Sequence, residues 1–431
     1  MGADRRLLTL GQPAALAAVE AMLGSHVPHA ILLVGPAGVG KTTLALDLAA
    51  ALLCVDPDPA ARPCRACRAC RAVAHGNHPD LHRLAPGGAG SVIPIGGRED
   101  RGIRDLVAEL AFLPVEGGAR VAVVEAADRM TEDAQSAFLR TLEEPPRDVT
   151  LILCASDEER LLPTIRSRCV RLRLGPVPRR DVETIVRERG LADAPEAARA
   201  ARLADGRPGV ALAYAASPEA VRLRSEIART LLDLASRGRT DRLIGIRDLA
   251  GRASELSKAI RDGAARAAAA AGTDGAGATG APTSGRGRGR GRTARGRASA
   301  VDDGAGASAD GTSGASDEGA STQVPEETAG GDGRAVRIPA AERRAAALAL
   351  VAVWRDLLRD LAAVVGRDPR LVRDTDLLDD LTLVAPGFDE AAIGQALARL
   401  DVAGERLEGN VSPEIVLDVL ALRHRASPTR A

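Results

Sequence analysis

The sequence predicts an α/β domain built on a parallel sheet with a phosphate-binding loop, followed by domains made only of helices. A short apolar run at 30–34 ends at a glycine and is followed by a helical pattern at 42–53, which indicates a buried strand, a loop and a helix. Apolar runs at 121–124 and 151–154 have the length and the polar borders of further buried strands. After about residue 177 the strand patterns end and helical patterns follow one another.

The length of the chain, 431 residues, predicts more than one domain, because single cores stop growing at roughly 250 to 300 residues. We expect the α/β domain at 1–175, a helical lid at 176–216, and a third, all-helical domain at 217–263 and 336–431. Between its two parts, 264–335 has almost no large apolar side chains and carries Arg-Gly repeats and an acidic stretch. That composition predicts a disordered insertion or linker.

Residues 35–43 read Gly-Pro-Ala-Gly-Val-Gly-Lys-Thr-Thr and match the phosphate-loop pattern G-x-x-x-x-G-K-[ST] between a strand and a helix. Glycines let backbone N–H groups turn toward phosphates at a helix N-terminus, a lysine adds positive charge, and a threonine hydroxyl can hold Mg²⁺. An ordinary glycine-rich turn does not explain a lysine at this spacing in a chain with two lysines. The predicted ATP and Mg²⁺ ligands in this loop are Gly35, Gly38, Gly40, Lys41, Thr42 and Thr43.

Four of the six cysteines form a cluster directly after the phosphate-loop helix: Cys54, Cys64, Cys67 and Cys70. Four thiolates at close spacing suit tetrahedral Zn²⁺, and a site with four sulfur ligands leaves no position for a catalytic water. Two disulfides are the alternative, which a reducing cytosol disfavours. We therefore predict a structural zinc module at 54–70. The neighbouring histidines at 75, 78 and 82 are weaker candidate ligands, and Cys154 and Cys169 are expected to be buried apolar side chains.

The strand at 121–124 is followed by Glu-Ala-Ala-Asp, where a phosphate-loop ATPase needs a carboxylate for the metal and often a second one that polarises the attacking water. Glu125 can serve the metal, but Ala126 stands where the water-activating acid is expected. Asp128 or Glu132 would replace it only if the loop shifted. The sequence predicts ATP binding without hydrolysis by this chain.

Arg168 lies in the segment Leu-Leu-Pro-Thr-Ile-Arg-Ser-Arg-Cys at 161–169, after the strand at 151–154. An arginine exposed in such a place can act on the γ-phosphate of a neighbouring subunit, as arginine fingers do. The alternative is a surface residue in a basic segment that also contains Arg166, Arg171 and Arg173. The residues alone do not separate these two interpretations.

Charge and hydropathy exclude several classes of protein. Lys+Arg and Asp+Glu each total 58, so no overall positive field draws the chain onto nucleic acid, and any DNA contact is expected to be local or shared with partners. No apolar leader follows Met1, and no run reaches the ~18 residues of a membrane span. The chain is expected to be soluble and cytoplasmic.

These motifs together resemble one protein family. The phosphate loop, the cysteine cluster, His-Pro-Asp at 78–80, Thr-Leu-Glu-Glu-Pro-Pro at 141–146 and Ser-Arg-Cys at 167–169 resemble the AAA+ clamp-loader subunits of bacterial DNA polymerase III. The resemblance covers about 8–215 well and the later helices loosely. It implies an AAA+ domain, a helical lid and a helical collar domain.

Within that family the chain looks like the delta-prime branch. Ala126 replaces the catalytic acid of the tau/gamma ATPase subunits, and Gly-Arg-Pro-Gly at 206–209 lacks the arginine of their second sensor. The resemblance implies a ring of five subunits, with tau/gamma and delta as partners, that uses ATP to load the sliding clamp on primed DNA. In such a ring Arg168 would act in trans on the ATP of a neighbouring subunit. The four cysteines match the zinc ligands of the family residue by residue.

Two other functions compete with this interpretation. A hydrolysing tau/gamma-type ATPase is opposed by Ala126 and by the missing sensor arginine. A DNA-binding repair ATPase would need a basic face and a water-activating carboxylate. Polymerase chemistry is expected in another subunit, because no array of metal-binding carboxylates for nucleotidyl transfer is recognisable.

Overall fold

The fold agrees with the predicted class. The computed structural model describes residues 7–87, 91–97, 100–116, 118–273, 339–409 and 411–423. Within these ranges an α/β domain of the AAA+ type precedes a set of helices. None of the helices described there is both long and apolar enough to cross a lipid bilayer.

A parallel sheet of five strands forms the centre of the α/β domain. The strands are β1 (Ala30–Val34), β2 (Leu81–Leu84), β3 (Arg120–Val124), β4 (Val149–Ala155) and β5 (Val170–Arg173). Their order is β2-β3-β4-β1-β5, and every neighbouring pair is parallel. Loops that follow the strands therefore meet at one edge, called here the carboxyl edge, and loops that precede them meet at the opposite, amino edge.

Helices cover both faces of this sheet. They are α1 (Pro13–Gly24), α2 (Lys41–Leu53), α3 (Arg68–His75), α4 (Ile103–Leu110), α5 (Glu132–Glu143) and α6 (Pro163–Arg166). Successive side chains of a strand point to opposite faces. Ile31 accordingly belongs to the core that includes Leu48 of α2, whereas Leu32 belongs to the core that includes Phe138 of α5. The domain has three layers, with the sheet in the middle.

Nine further helices within the described ranges follow the sheet. They are α7 (Arg179–Glu188), α8 (Ala194–Ala204), α9 (Pro208–Ala215), α10 (Pro218–Ala235), α11 (Arg239–Thr273), α12 (Ala340–Val365), α13 (Leu378–Val384), α14 (Glu390–Glu408) and α15 (Pro413–Arg423). One continuous hydrophobic core joins them, from Ile185 in α7 through Ile227 in α10 to Trp354 in α12. The division between lid and collar at 216 and 217 stays a prediction.

The predicted linker begins too early. We expected disorder from 264, but α11 continues to Thr273. The reason is the alanine-rich sequence, because alanine has the highest helix propensity and small side chains can still pack. Ala267 is buried, and a Cβ on Gly263 would collide with the carbonyl oxygen of Ala213, so this part of α11 lies directly on α9. The rest of the predicted linker, 274–335, lies outside the described residues.

A buried carboxylate holds the N-terminal segment against the phosphate-loop helix. Asp47 of α2 is 1% exposed and accepts hydrogen bonds from the backbone N–H groups of Leu8 (3.0 Å) and Thr9 (2.8 Å) and from the Thr9 hydroxyl (2.7 Å). Arg65, between two of the clustered cysteines, forms an ion pair with the same carboxylate. The segment that contains Leu8 and Thr9, the phosphate-loop helix and the cysteine cluster are thus connected through one side chain.

Candidate nucleotide and metal sites

The phosphate loop occupies the carboxyl edge between β1 and α2, as predicted. Gly40 is the N-cap of α2 and has φ of 107°, a left-handed conformation that favours glycine. Gly35 is required for a different reason, because a Cβ there would collide with the carbonyl oxygen of Leu174. The two glycines let the loop turn tightly into the helix N-terminus, where free N–H groups and the helix dipole favour an anion.

Lys41 points back into this loop. Its ammonium donates hydrogen bonds to the carbonyl oxygens of Gly35 (2.5 Å) and Pro36 (2.9 Å) and to the Ser156 hydroxyl (3.2 Å). Burial lowers the pKa of Lys41, and the nearby Cys154 and Asp128 partly offset that effect. All three hydrogen-bond acceptors are neutral oxygens. A polyphosphate would offer this ammonium charged acceptors, which form stronger hydrogen bonds.

The lid closes over the loop and forms a cavity with it. The backbone N–H of Gly209, at the start of α9, donates to the carbonyl oxygen of Gly38 (2.8 Å). The cavity of about 220 Å³ is lined by Lys41, Thr42 and Thr43 on one side and by lid residues on the other. Apolar side chains, Leu10, Ile185 and Leu212, also line it. A charged wall next to an apolar wall suits a ligand with phosphates and a flat base.

Two carboxylates follow β3 in the sequence, and they differ in their contacts. Glu125 follows β3, and its Oε1 accepts from Arg83 Nη2 (2.6 Å) and Nε (3.0 Å), so this predicted metal ligand is already paired with a cation. Asp128 accepts from the backbone N–H of Ser156 (3.1 Å), next to the hydroxyl that contacts Lys41. Asp128 is therefore a second candidate for a Mg²⁺ shell, which the sequence left open. Ala126 stands between them with φ of 51°.

This donor set fits Mg²⁺ and ATP: backbone N–H groups, an ammonium and threonine hydroxyls line one cavity, and the carboxylate of Asp128 is connected to the ammonium through Ser156. Thr42 and an acid would hold the cation, and Lys41 would hold phosphate oxygens. These roles stay predictions for each residue. Of the predicted residues, Lys41, Thr42 and Thr43 line the cavity, Glu125 is paired with Arg83, and Arg168 lies at the opposite edge of the sheet.

Replacing Lys41 should weaken ATP binding. We expect Lys41→Ala to raise the Kd for MgATP by about 10- to 100-fold, because a hydrogen bond to a charged group contributes roughly 1.5–3 kcal/mol. Lys258→Ala removes the other lysine of the chain, which is exposed on α11, and should leave the Kd unchanged. Isothermal titration of the purified chain measures both. Equal affinities for the two variants would contradict a phosphate-binding role for Lys41.

The four clustered cysteines meet at one point. Their sulfur atoms all lie within 4.8 Å of one another, with 3.5 Å between Cys54 and Cys64 and 3.9 Å between Cys54 and Cys67. Four sulfurs at about 2.3 Å from a tetrahedral zinc are about 3.8 Å apart. The spacing therefore fits Zn²⁺, and all six cysteines of the chain are free of disulfides.

Backbone hydrogen bonds to sulfur prepare this group to carry negative charge. The N–H groups of Cys64, Cys67 and Cys70 point to the sulfurs of Cys54, Cys64 and Cys67, at 3.3–3.5 Å. Burial raises the pKa of Cys54 and of Cys70. For Cys67, burial acts in the same direction, but the hydrogen bonds outweigh it and lower the pKa to about 7. A bound dication would offset the burial of the other thiolates.

The other predicted side chains near the cluster have different partners. His75 contacts the carbonyl oxygen of Arg71 (2.7 Å) and His82 contacts Glu109 (2.8 Å), while buried His78 accepts from the backbone N–H of Asp80 (3.1 Å). None of the three belongs to the metal-binding group found in the described residues. Cys154 and Cys169 are buried, as predicted, and burial raises their pKa to about 12 and about 11.

Arg168 lies between α6 and β5. The guanidinium nitrogen Nη2 contacts Oε1 of Glu143 at 2.5 Å, and Nη1 donates to the carbonyl oxygen of Thr164 (2.9 Å). The side chain is 34% exposed.

The position of Arg168 in the sheet separates it from the phosphate loop of the same chain. Arg168 precedes β5 and lies at the amino edge, whereas the phosphate loop follows β1 and lies at the carboxyl edge. The two strands are paired in parallel, with Ile31 opposite Val170 and Val34 opposite Arg173. The strands place about 13 Å between the two edges, at ~3.3 Å per residue. Arg168 therefore lies away from the phosphate loop of its own chain.

Two side chains of the site were not expected from the sequence. Ser156 is the residue after β4 that contacts Lys41, and Gln12 donates to the carbonyl oxygens of Gly175 (2.7 Å) and Val39 (3.4 Å), which joins the phosphate loop to the segment entering the lid. Ser156 lies 115 residues from Lys41, and Gln12 lies 163 from Gly175. The only signal available for Ser156 was that it is the first polar residue after the apolar run at 151–154.

Fold and site together define an AAA+ domain with a phosphate loop and a four-cysteine module. Residues 11–178 match the family model described as DNA polymerase III, delta subunit. Over 142 residues the chain is 44% identical to DNA polymerase III subunit delta′ of Pseudomonas aeruginosa, covering 33% of this chain and 42% of that protein. It is 34% identical to subunit delta′ of Escherichia coli over 185 residues, or 43% and 54% of the two chains.

A subunit of another type is also similar. DNA polymerase III subunit tau of Escherichia coli is 32% identical over 186 residues, which cover 42% of this chain and 28% of that protein. The predicted resemblance to clamp-loader subunits of the delta-prime and tau/gamma types is thus confirmed. The chain spans about half the length of the delta′ relatives it matches.

Proposed function

We propose that this chain is a delta-prime-like subunit of the DNA polymerase III clamp loader. In this role it binds ATP without hydrolysing it and supplies Arg168 to the nucleotide of a neighbouring ATPase subunit. Its partners are tau/gamma and delta subunits in a ring of five, and through the ring it acts on the sliding clamp and primed DNA. Zn²⁺ held by the four cysteines stabilises the AAA+ domain.

The observation that carries the proposal is the place of Arg168. Its guanidinium is partly exposed at the amino edge of the sheet, whereas the phosphate loop of its own chain lies at the carboxyl edge. Positive charge placed against a transferring phosphoryl group stabilises the charge that develops there. In a ring of similar subunits, this arginine can meet only the nucleotide of another subunit.

Ala126 supports the absence of hydrolysis. A methyl side chain cannot accept a proton from water, and the flanking acids are engaged, Glu125 with Arg83 and Asp128 with the Ser156 backbone. On the lid side, Gly209 packs against Gly38 of the loop, and Arg189 is the charged residue that lines the cavity. The site therefore contains groups that can bind phosphate, but it lacks a base that would activate the attacking water.

A tau/gamma-type ATPase is the second candidate. It is favoured by the complete phosphate loop, by Asp128 beside Ser156, and by the 32% identity to tau. Under this alternative Asp128 would take the place of the missing acid.

Co-assembly tests the proposed role. When the chain is mixed with purified tau/gamma and delta of the same organism, we expect it to elute with them in one complex on size exclusion, at one copy per ring by native mass spectrometry. A chain that elutes alone under these conditions, or that takes more than one position in the ring, would contradict a delta-prime role.

A further inference from the structure

The carboxylate of Glu143 lies directly against the guanidinium of Arg168. The two groups are 2.5 Å apart, with the glutamate 47% and the arginine 34% exposed. On its other side the guanidinium donates from Nη1 to the carbonyl oxygen of Thr164 (2.9 Å) and to the Ser167 hydroxyl (3.4 Å). Arg168 is therefore held at the surface from two directions.

The position of Glu143 favours a cation nearby. It is the last residue of α5, where the free carbonyl groups of the helix carry partial negative charge. A carboxylate at a helix C-terminus is unfavourable unless a positive group offsets it. Arg140 in the last turn of α5 supplies one positive charge, and Arg168 adds a second from a segment 25 residues later than Glu143 in the sequence. The pair thus fixes the end of α5 and the arginine relative to each other.

These contacts leave donors free. A guanidinium has five N–H groups. The contacts with Glu143, Thr164 and Ser167 use three of them, so two remain, one on Nη2 and one on Nε. Phosphate oxygens can accept from these two while the pair with Glu143 stays intact.

We propose that Glu143 is a positioning residue that presents Arg168 to the nucleotide of the neighbouring subunit. Fixing a long arginine side chain costs rotamer entropy, and a partner that restricts it beforehand lowers the cost of engagement. The inference rests on the proposed trans-acting role of Arg168. In this role Glu143 acts only through Arg168.

The same segment offers a matched control. Arg166, two residues earlier, forms an ion pair with Glu159 (2.7 Å), which is 74% exposed. This pair has the same chemistry but no assigned role. Replacing Glu159 measures the effect of losing a surface ion pair near α6.

The test uses the assembled complex with DNA and clamp, followed by rapid-quench measurement of ATP hydrolysis. We expect Glu143→Ala to slow the phase that depends on Arg168 by about two- to fivefold, the range of an exposed ion pair. ATP affinity should stay unchanged. Glu143→Gln keeps a hydrogen-bond acceptor and should retain most of the rate, and Glu159→Ala should match the wild type. In an Arg168→Ala background, Glu143→Ala should have no further effect.

Each of the other possible results contradicts either the role of Glu143 or the role of Arg168. A wild-type rate for Glu143→Ala, where Arg168→Ala slows the complex, overturns the role of Glu143 and leaves the proposed function intact. A faster rate would mean that Glu143 restrains the arginine, which also overturns the inference. Additive losses in the double variant would indicate a structural effect of Glu143. A wild-type rate for Arg168→Ala removes the trans-acting role itself.

Discussion

Arg168→Ala should abolish the contribution of one ATP site in the assembled clamp loader. An arginine finger accelerates phosphoryl transfer by about 10³- to 10⁵-fold, so the site that receives Arg168 should become silent on the time scale of one loading cycle. The complex should therefore lose about one ATP per ring from its hydrolysis burst in the presence of primed DNA and clamp. Rapid-quench counting of phosphate per complex measures this directly.

The neighbouring arginine serves as the control for this experiment. Arg166 lies in the same segment, but its guanidinium is paired with Glu159 and only 21% exposed. Arg166→Ala should keep the full burst. A complete burst from the Arg168→Ala complex would contradict the trans-acting role, and an equal loss from both variants would point to a disturbed α6–β5 segment.

Loss of zinc is expected to produce the second large effect. The cysteine cluster connects the C-terminus of α2 with α3, and Arg65 within it reaches Asp47 of the phosphate-loop helix. A ligand present at 1,000 times its Kd stabilises the folded state by ~4 kcal/mol. Cys70→Ser should therefore lower the free energy of unfolding by about that amount and reduce the zinc content from about one ion per chain to a small fraction.

Cys169→Ser is the matched control for the zinc site. Cys169 is also a buried thiol, but it lies outside the cluster. Elemental analysis and thermal unfolding of both variants separate metal loss from the cost of placing a hydroxyl in a core. Full zinc content in Cys70→Ser, or equal zinc in the two variants, would be inconsistent with a four-cysteine zinc site.

The sequence predicted the central strands of the sheet but missed its edges. β1, β3 and β4 are buried on both faces and read as continuous apolar runs. β2 and β5 are the outer strands, each four residues long, and they read Leu-His-Arg-Leu and Val-Arg-Leu-Arg. An outer strand has one neighbour and a more exposed surface, so polar side chains interrupt its pattern. Such segments are not distinguished from loops by hydrophobicity.

The candidate site was predicted as far as it is local in the sequence. The phosphate loop and the cysteine cluster each lie within a short segment whose spacing reflects the geometry, so residues 35–43 and 54–70 were found. The hydrogen bonds of Asp47, Gln12 and Ser156 connect distant segments, and no spacing encodes them. The pairing of Glu125 with Arg83 required knowledge that β2 and β3 are neighbours.

ATP turnover by the isolated chain tests the central claim most directly. The purified protein, incubated with radiolabelled MgATP, should bind about one nucleotide per chain through Lys41 and release no more phosphate than the Lys41→Ala variant over many hours. That variant serves as the background for any contaminating ATPase. Repeated turnovers that Lys41→Ala abolishes would contradict the account and identify the chain as a hydrolysing, tau/gamma-type subunit.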